Sequence, residues 1–362
     1  MTAIAFYITG HGFGHAVRSY QVIRALNKAV PAWEIHVRTT APEWLFQDPS
    51  GSVVYHQTKI DIGIVQKDSL AMDLTETLRS CRDLHERASS LIESELAFVR
   101  QHRIALIVSD IPALAFEVAA QAMIPSVAIT NFTWSWIYRA YQERYPAFLS
   151  LIEEMESFYR KATLAMTLPY VCDLSIFPSR KAIPWITRTS SLSKHQARAS
   201  FALPQSATIV LLSFGGLGIE RLPWKTLQRL QDYYFIGTEE RPQRAGNICV
   251  LPEMQREYCD LVRAADVIIA KPGYGIVADI LAHQTPVLYI ERSDFPEFPY
   301  LAQALNELTT AEFLSLDDLL SGGIEPHLVR FLKRERHWPA VPLNGAQIAA
   351  EKIVALAVAA SS

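Results

Sequence analysis

Residues 3–15 read Ala3-Ile4-Ala5-Phe6-Tyr7-Ile8-Thr9-Gly10-His11-Gly12-Phe13-Gly14-His15. The stretch Ala3 to Thr9 is an apolar run rich in Ile, Phe and Tyr, the pattern of a buried strand, and Gly10 stops it. A glycine-rich turn follows. Val17, Tyr20, Val22, Ile23 and Leu26 then recur near one helical face, and Ile35 to Arg38 reads as the next strand. Strand, glycine-rich loop, helix and strand in succession predict parallel pairing through a right-handed crossover, and hence an α/β fold.

The same alternation runs outward from this unit. A long helical segment spans about 69 to 101. Ile104 to Ser109 is a strand ending at Asp110, Ala113 to Ala122 a short helix, and Ser126 to Thr130 a strand ending at Asn131. Thr163 to Leu168 reads as the last strand of the first half. Pro169, Pro178 and Pro184 then interrupt the pattern and mark a junction. The second half restarts with Thr208 to Phe214, followed by strands at Tyr233 to Ile236 and Asn247 to Leu251 and a helix at Met254 to Ala264. Asp266 to Ala270 is a strand, Ile276 to Ala282 a helix, and Pro286 to Ile290 a further strand. The expected organisation is an N-terminal domain over 1–185, a C-terminal domain over 186–345, and an alanine-rich terminal helix within 346–362.

Composition narrows the function classes. The 362 residues are 50% hydrophobic with a formal net charge of −3, which argues for ordinary packed cores and against a nucleic-acid partner. No apolar run approaches a spanning helix, which leaves only peripheral membrane contact open. The N-terminus lacks a basic region and a small-residue cleavage site and reads as a core strand, not a secretory signal. The four cysteines, Cys81, Cys172, Cys249 and Cys259, show no Cys-x-x-Cys spacing and no neighbouring His cluster. Buried reduced thiols and a cytoplasmic setting are expected, with no zinc site.

In open parallel sheets, ligands sit where strands end and helices begin. In Gly10 to His15, glycines allow close backbone approach, and free N–H groups at the helix start favour phosphate or another electron-rich group. His15 or His11 can act as a general base, since neutral imidazole suits removal of a hydroxyl proton near neutral pH, or can simply cap the helix. A metal is disfavoured because no His-Glu-x-x-His motif is present. Asp110 can orient the histidine or cap the following helix. The group Asn131-Phe132-Thr133-Trp134 is a candidate acceptor wall, or core. Ser213-Phe214-Gly215-Gly216 and Lys271-Pro272-Gly273-Tyr274-Gly275 are further strand-end loops. The second of these leads into a helix carrying Asp279, and Asp294 and Glu297 follow the next strand. No Asp-x-Asp motif occurs, so a leaving diphosphate would be stabilised by a helix dipole and backbone N–H groups rather than by a motif-bound metal.

Taken together, the stretch Tyr7 to His15 with Val108-Ser109-Asp110, Thr130-Asn131-Phe132, Phe214-Gly215-Gly216, Lys271 to Gly275 and Asn344-Gly345 resembles the GT-B glycosyltransferase superfamily, in its branch near family 28. It is similar above all to the glycosyltransferase-like N-terminal region of plant L-arabinokinases, whose Tyr-x-Thr-Gly-His-Gly-Phe-Gly-His stretch Tyr7 to His15 matches. The resemblance implies two Rossmann-like doubly wound parallel-sheet domains facing a central cleft, with the terminal helix crossing back to the first. It implies a glycosyltransferase that moves a hexosyl or N-acetylhexosaminyl group from a nucleotide-diphosphate donor, commonly UDP-linked, to an unidentified acceptor. The nucleotide sugar is a co-substrate, and no separate cofactor is expected.

On this reading the catalytic residues are His15, Asp110 and His11. The donor-binding residues are Gly12, Gly14, Gly215, Gly216, Lys271, Gly273, Tyr274, Gly275, Asp279, Asp294 and Glu297. The acceptor-binding residues are Phe13, Asn131, Phe132 and Trp134. The chain departs from the family at the ribose position, where Asp279 replaces the usual Glu, and at the sugar-binding loop, where Asp294 to Glu297 replaces a Gln-containing segment. No galactokinase-like phosphate loop is present, so sugar kinase activity is not carried over. Two other readings stay open: a catalytically silent nucleotide-sugar-binding or regulatory module, and a GT-B sugar-nucleotide epimerase.

Overall fold

The computed structural model describes residues 2–47, 51–66, 72–215, 222–239, 242–252, 258–292 and 294–361. They form two compact units. One contains the residues up to 66, Met72–Ile186 and the segment from Pro342 onward; the other contains Thr187–Val341.

The first unit is built on seven strands: β1 (Ala3–Ile8), β2 (Glu34–Thr39), β3 (Val53–Gln57), β4 (Ile104–Asp110), β5 (Ser126–Thr130), β6 (Leu164–Thr167) and β7 (Arg180–Ala182). Their order is β3-β2-β1-β4-β5-β6-β7, and every pairing is parallel. Every residue of β1 is buried, as expected for a central strand covered on both faces. Tyr7, Ile107, Val99, Leu114 and Val118 belong to one apolar cluster under helices Ala88–Gln101 and Leu114–Gln121.

The order reverses between β1 and β4, and a crevice opens at the carboxyl ends of those two strands. Gly10 sits at that point and cannot be replaced without movement. A Cβ there would lie 2.0 Å from Thr40 Oγ1. Helix Phe13–Ala29 leaves the loop, and helix Gly345–Ser361 packs against it, with Ala349, Ala350, Ile353 and Ala357 buried. The Gly345 N–H donates to the Trp185 carbonyl at 3.0 Å, where a Cβ would meet the Pro184 carbonyl oxygen at 2.2 Å.

The second unit has its own seven-stranded sheet: β8 (Thr208–Ser213), β9 (Tyr233–Glu239), β10 (Gln243–Ala245), β11 (Ile248–Pro252), β12 (Val267–Ala270), β13 (Val287–Tyr289) and β14 (Ala311–Phe313). The order is β10-β11-β9-β8-β12-β13-β14, parallel except for the β10–β11 edge. Its switch point lies between β8 and β12. Val210, Leu212, Phe235, Ile269 and Phe331 belong to its core.

Three expectations change. The strand near Thr163 is not the last of the first half, because β7 follows it. All three β7 residues are exposed, so no apolar signal marked the strand. The helical stretch from about 69 to 101 is two helices, Leu74–His85 and Ala88–Gln101. The helix read from Met254 is described only as Tyr258–Ala264, and its first residues lie outside the described ones.

Near the start of β2, the His36 ring lies 4.5 Å from His102 and 5.2 Å from His56 between ring centres. Burial, with the neighbouring His102, His56 and Arg38, lowers the His36 pKa to about 4. The unfolded chain therefore takes up a proton at His36 that the folded chain refuses between the ordinary value of about 6.5 and that lowered value. Stability is full above this window and falls as pH drops through it, by up to about 1.4 kcal/mol per pH unit from this group. Denaturant unfolding at pH 7 and pH 5 should show the loss, and a His36→Gln variant should show less of it. Equal pH dependence in both proteins would refute the assignment.

Candidate active site

Helix Phe13–Ala29 begins at Gly12, whose φ of 71° is open to glycine and strained for other residues. Starting the helix there places His15, Arg18 and Ser19, at i, i+3 and i+4, on one face. That face meets Asp110, the last residue of β4. His15 Nδ1 lies 2.8 Å from Asp110 Oδ1. Arg18 grips both carboxylate oxygens, with Nε to Oδ2 at 2.6 Å and Nη2 to Oδ1 at 2.5 Å, and the Ser19 hydroxyl donates to Oδ2 at 2.9 Å. Arg18 Nη1 also donates to Asn131 Oδ1 at 2.7 Å, joining the ends of β4 and β5.

Burial alone would raise the Asp110 pKa. The charges of Arg18 and His15, with their hydrogen bonds, outweigh it and hold the carboxyl at about 2. Asp110 is therefore a carboxylate at neutral pH and can only accept. It follows that His15 Nδ1 carries the hydrogen it donates, and that Nε2 holds the lone pair when the ring is neutral. The 3.1 Å approach of Arg18 Nη2 to Nδ1 is then a close contact between two donors, not a hydrogen bond. Nε2 has no hydrogen-bond partner among the described residues, and His15 retains 8% of its surface in solvent. This is the tautomer and orientation a general base requires.

His11 sits beside this pair, its ring edge-on to Trp134 at 5.1 Å. Phe132 meets His15 edge-on at 5.6 Å. Asn131, Phe132 and Trp134 are all buried, and Trp134 Nε1 donates to Asp61 Oδ2 at 2.9 Å. Phe132 and Trp134 pack edge-on against the histidines, the core arrangement that the sequence left open beside an acceptor wall. Phe13 is half-buried against Trp44 at 5.6 Å. Gly63, with φ 67°, closes over His11, where a Cβ would lie 2.8 Å from His11 Cβ. Asp61 and Gly63 escaped the sequence reading because their stretch has no periodicity. Arg18 and Ser19 could have been found, because their spacing from His15 puts them on its face.

In the second unit, two loops flank the switch point. Gly215 follows β8 with φ 78° and faces open space; Gly216 lies outside the described residues. Tyr258 donates to Ser213 Oγ at 2.6 Å, and the Lys271 N–H reaches the Ser213 carbonyl at 3.1 Å. Lys271 and Gly275 are half-buried, and the Tyr274 side chain is buried. Gly273 is the N-cap of helix Tyr274–His283 and has nothing within 4 Å of where a Cβ would be, so the first N–H groups of the helix are approachable.

Two acidic residues assigned to the donor are engaged within the protein. Asp279 is 1% exposed and ion-paired with Arg188, and Glu297 lies 3.1 Å from Arg292 Nη1. The Asp279 carboxylate expected at the ribose is thus already the counter-charge of Arg188 within the same unit. Asp294 is exposed.

Two doubly wound sheets, each with glycine-lined loops at its switch point, define a GT-B glycosyltransferase fold. The model of glycosyl transferase family 1 matches residues 2–330, and the chain belongs to that family. It is 29% identical over 366 residues to an L-arabinokinase of Arabidopsis thaliana, covering 96% of this chain and 33% of that protein. The chain thus spans about a third of that relative's length. Its fold is similar to the calicheamicin glycosyltransferase CalG4, with TM-score 0.61 and 12% identity, covering 100% of this chain and 95% of the other. It is also similar to S. aureus MnaA in a UDP co-structure, with TM-score 0.60 and 12% identity, covering 98% and 95% of the two chains. Among the described residues, no helix is long and apolar enough to cross a membrane.

Arg18→Ala strips the buried Asp110 carboxylate of its main counter-charge and should destabilise the first unit by about 3–5 kcal/mol. Arg18→Lys should recover only part, because an ammonium cannot form the two-pronged contact. Thermal unfolding checks this; an Arg18→Ala melting temperature equal to wild type would contradict it.

Proposed function

We propose that the chain transfers a sugar, of the hexosyl or N-acetylhexosaminyl class, from a nucleotide-diphosphate donor to a hydroxyl or amine acceptor, without a metal. The observation that carries the reading is the His15 ring, tied to Asp110 through Nδ1 with Nε2 left unpartnered among the described residues. Nε2 takes the acceptor proton as the acceptor atom attacks the anomeric carbon. The bond from that carbon to the diphosphate oxygen breaks, and its electron pair leaves with the diphosphate. The N–H groups that follow Gly273, with Gly275 and Lys271 nearby, hold the departing charge. Asp110 orients the ring and stabilises the imidazolium, and Arg18 keeps Asp110 ionised. Gly12, Gly14 and Gly215 allow close backbone approach. Uridine is the proposed nucleoside of the donor, supported by the UDP named with the S. aureus neighbour.

A second reading rests on the match to about a third of an L-arabinokinase: a nucleotide-sugar binder without turnover, serving regulation. One experiment separates the two. The protein is incubated with UDP-sugars and a panel of hydroxylated acceptors, and products are resolved by mass. Transfer is expected, falling about 10²–10⁴-fold in His15→Ala. Asp110→Asn should also fall steeply, since the amide no longer enforces the tautomer. Full turnover in His15→Ala would overturn the base assignment. Donor binding without transfer or hydrolysis would favour the binder, and isomerised donor with no acceptor product would favour an epimerase.

A further inference from the structure

The opposite edge of the second sheet carries a feature that sugar transfer does not use. A cavity of about 620 Å³ opens at the amino ends of β8, β12 and β13, away from the glycine loops at their carboxyl ends. Four cations line it, Lys194, Arg198, Arg263 and Arg336, against one carboxylate, Asp266. Lys194 and Arg198 pair with Asp266 at 2.5 and 2.6 Å, and the Ile209 N–H also donates to Asp266 at 2.7 Å. Arg198 spends its remaining donors on the carbonyls of Ala264, Gln205 and Ala207. Asp266 is thereby satisfied. Arg263 and Arg336 have no carboxylate partner among the described residues. The local balance is four positive charges to one negative, in a chain whose formal net charge is −3.

Burial lowers the Arg336 pKa from its ordinary value, and the charge of Asp266 only partly offsets this. Arg336 nevertheless keeps much of its surface in solvent, and a guanidinium with no carboxylate partner is a ready donor to an anion. Trp338 adds an aromatic surface to the same lining. The volume is that of a small-molecule site. Two Arg side chains without a carboxylate partner among the described residues, with an aromatic residue in the same lining, suit a phosphoryl group carried on a ring-bearing molecule.

We propose that this cavity binds a phosphorylated small molecule through Arg263 and Arg336, separately from the glycine-loop site of the same unit. The proposal does not depend on sugar transfer.

Inorganic pyrophosphate is the probe, titrated calorimetrically into the full chain at ionic strength matched with sodium chloride. Saturating UDP is present to compete for the glycine loops. Saturable binding is expected in the wild type, weakened at least about tenfold in Arg263→Gln/Arg336→Gln. Arg336 is exposed, so Arg336→Gln alone should fold normally, with the ligand-free melting temperature unchanged, and should weaken binding at least about threefold. Binding that is equal in wild type and both variants would place the pyrophosphate elsewhere and overturn the proposal. Absence of saturable binding in the wild type would overturn it equally. If the chain does not bind UDP, the uridine assignment of the donor fails, while the arginine dependence still reports on this cavity.

Discussion

The first unit is organised around one buried negative charge. Asp110 stands at the end of a central strand, where the strand order reverses, and is 1% exposed. Left alone, a carboxyl in that place would protonate and lose its power to orient anything. Arg18 prevents this by gripping both oxygens, and His15 completes the shell. The same guanidinium reaches Asn131 and so joins the ends of two adjacent strands to one helix. A single compensated charge ties the start of one helix to the ends of two strands and fixes the histidine tautomer.

The second unit places its charges differently. Its switch point is lined by backbone, with Gly215 in a left-handed conformation and the N–H groups after Gly273 open to approach. The acidic side chains nearby are drawn inward instead. Asp279 holds Arg188, and the His283 ring supports the same region by donating from Nδ1 to the Asp279 carbonyl at 2.7 Å and accepting the Ser190 N–H at Nε2. Burial lowers the His283 pKa and keeps the ring neutral, as that pair of contacts requires. The two units therefore differ in what lines their switch points: a histidine paired with a buried carboxylate in one, glycine backbone in the other.

Much of this was readable before any coordinates. Apolar runs ending in glycine located the central strands, because parallel strands buried on both faces leave no polar alternation. Four strands escaped, β3, β7, β10 and β14, all at sheet edges, and β7 and β10 are fully exposed with no hydrophobic signature. Glycine loops at strand ends were legible for a related reason, since few residues other than glycine tolerate those backbone angles. The aromatic cluster after Asn131 stayed open between wall and core, because composition alone does not distinguish a ring that faces a ligand from one that packs on a histidine; Phe132 and Trp134 both pack edge-on against histidines.

What the sequence determined by itself was the alternation of strands and helices, the two-part organisation, and the glycine turns that begin helices at strand ends. These follow from local periodicity and backbone sterics, which act over a few residues. Tertiary structure alone decided which charge meets which. Arg18 finds Asp110 across 92 positions and Arg188 finds Asp279 across 91. The strength of such pairs comes from burial and distance, and neither is written in the order of the residues.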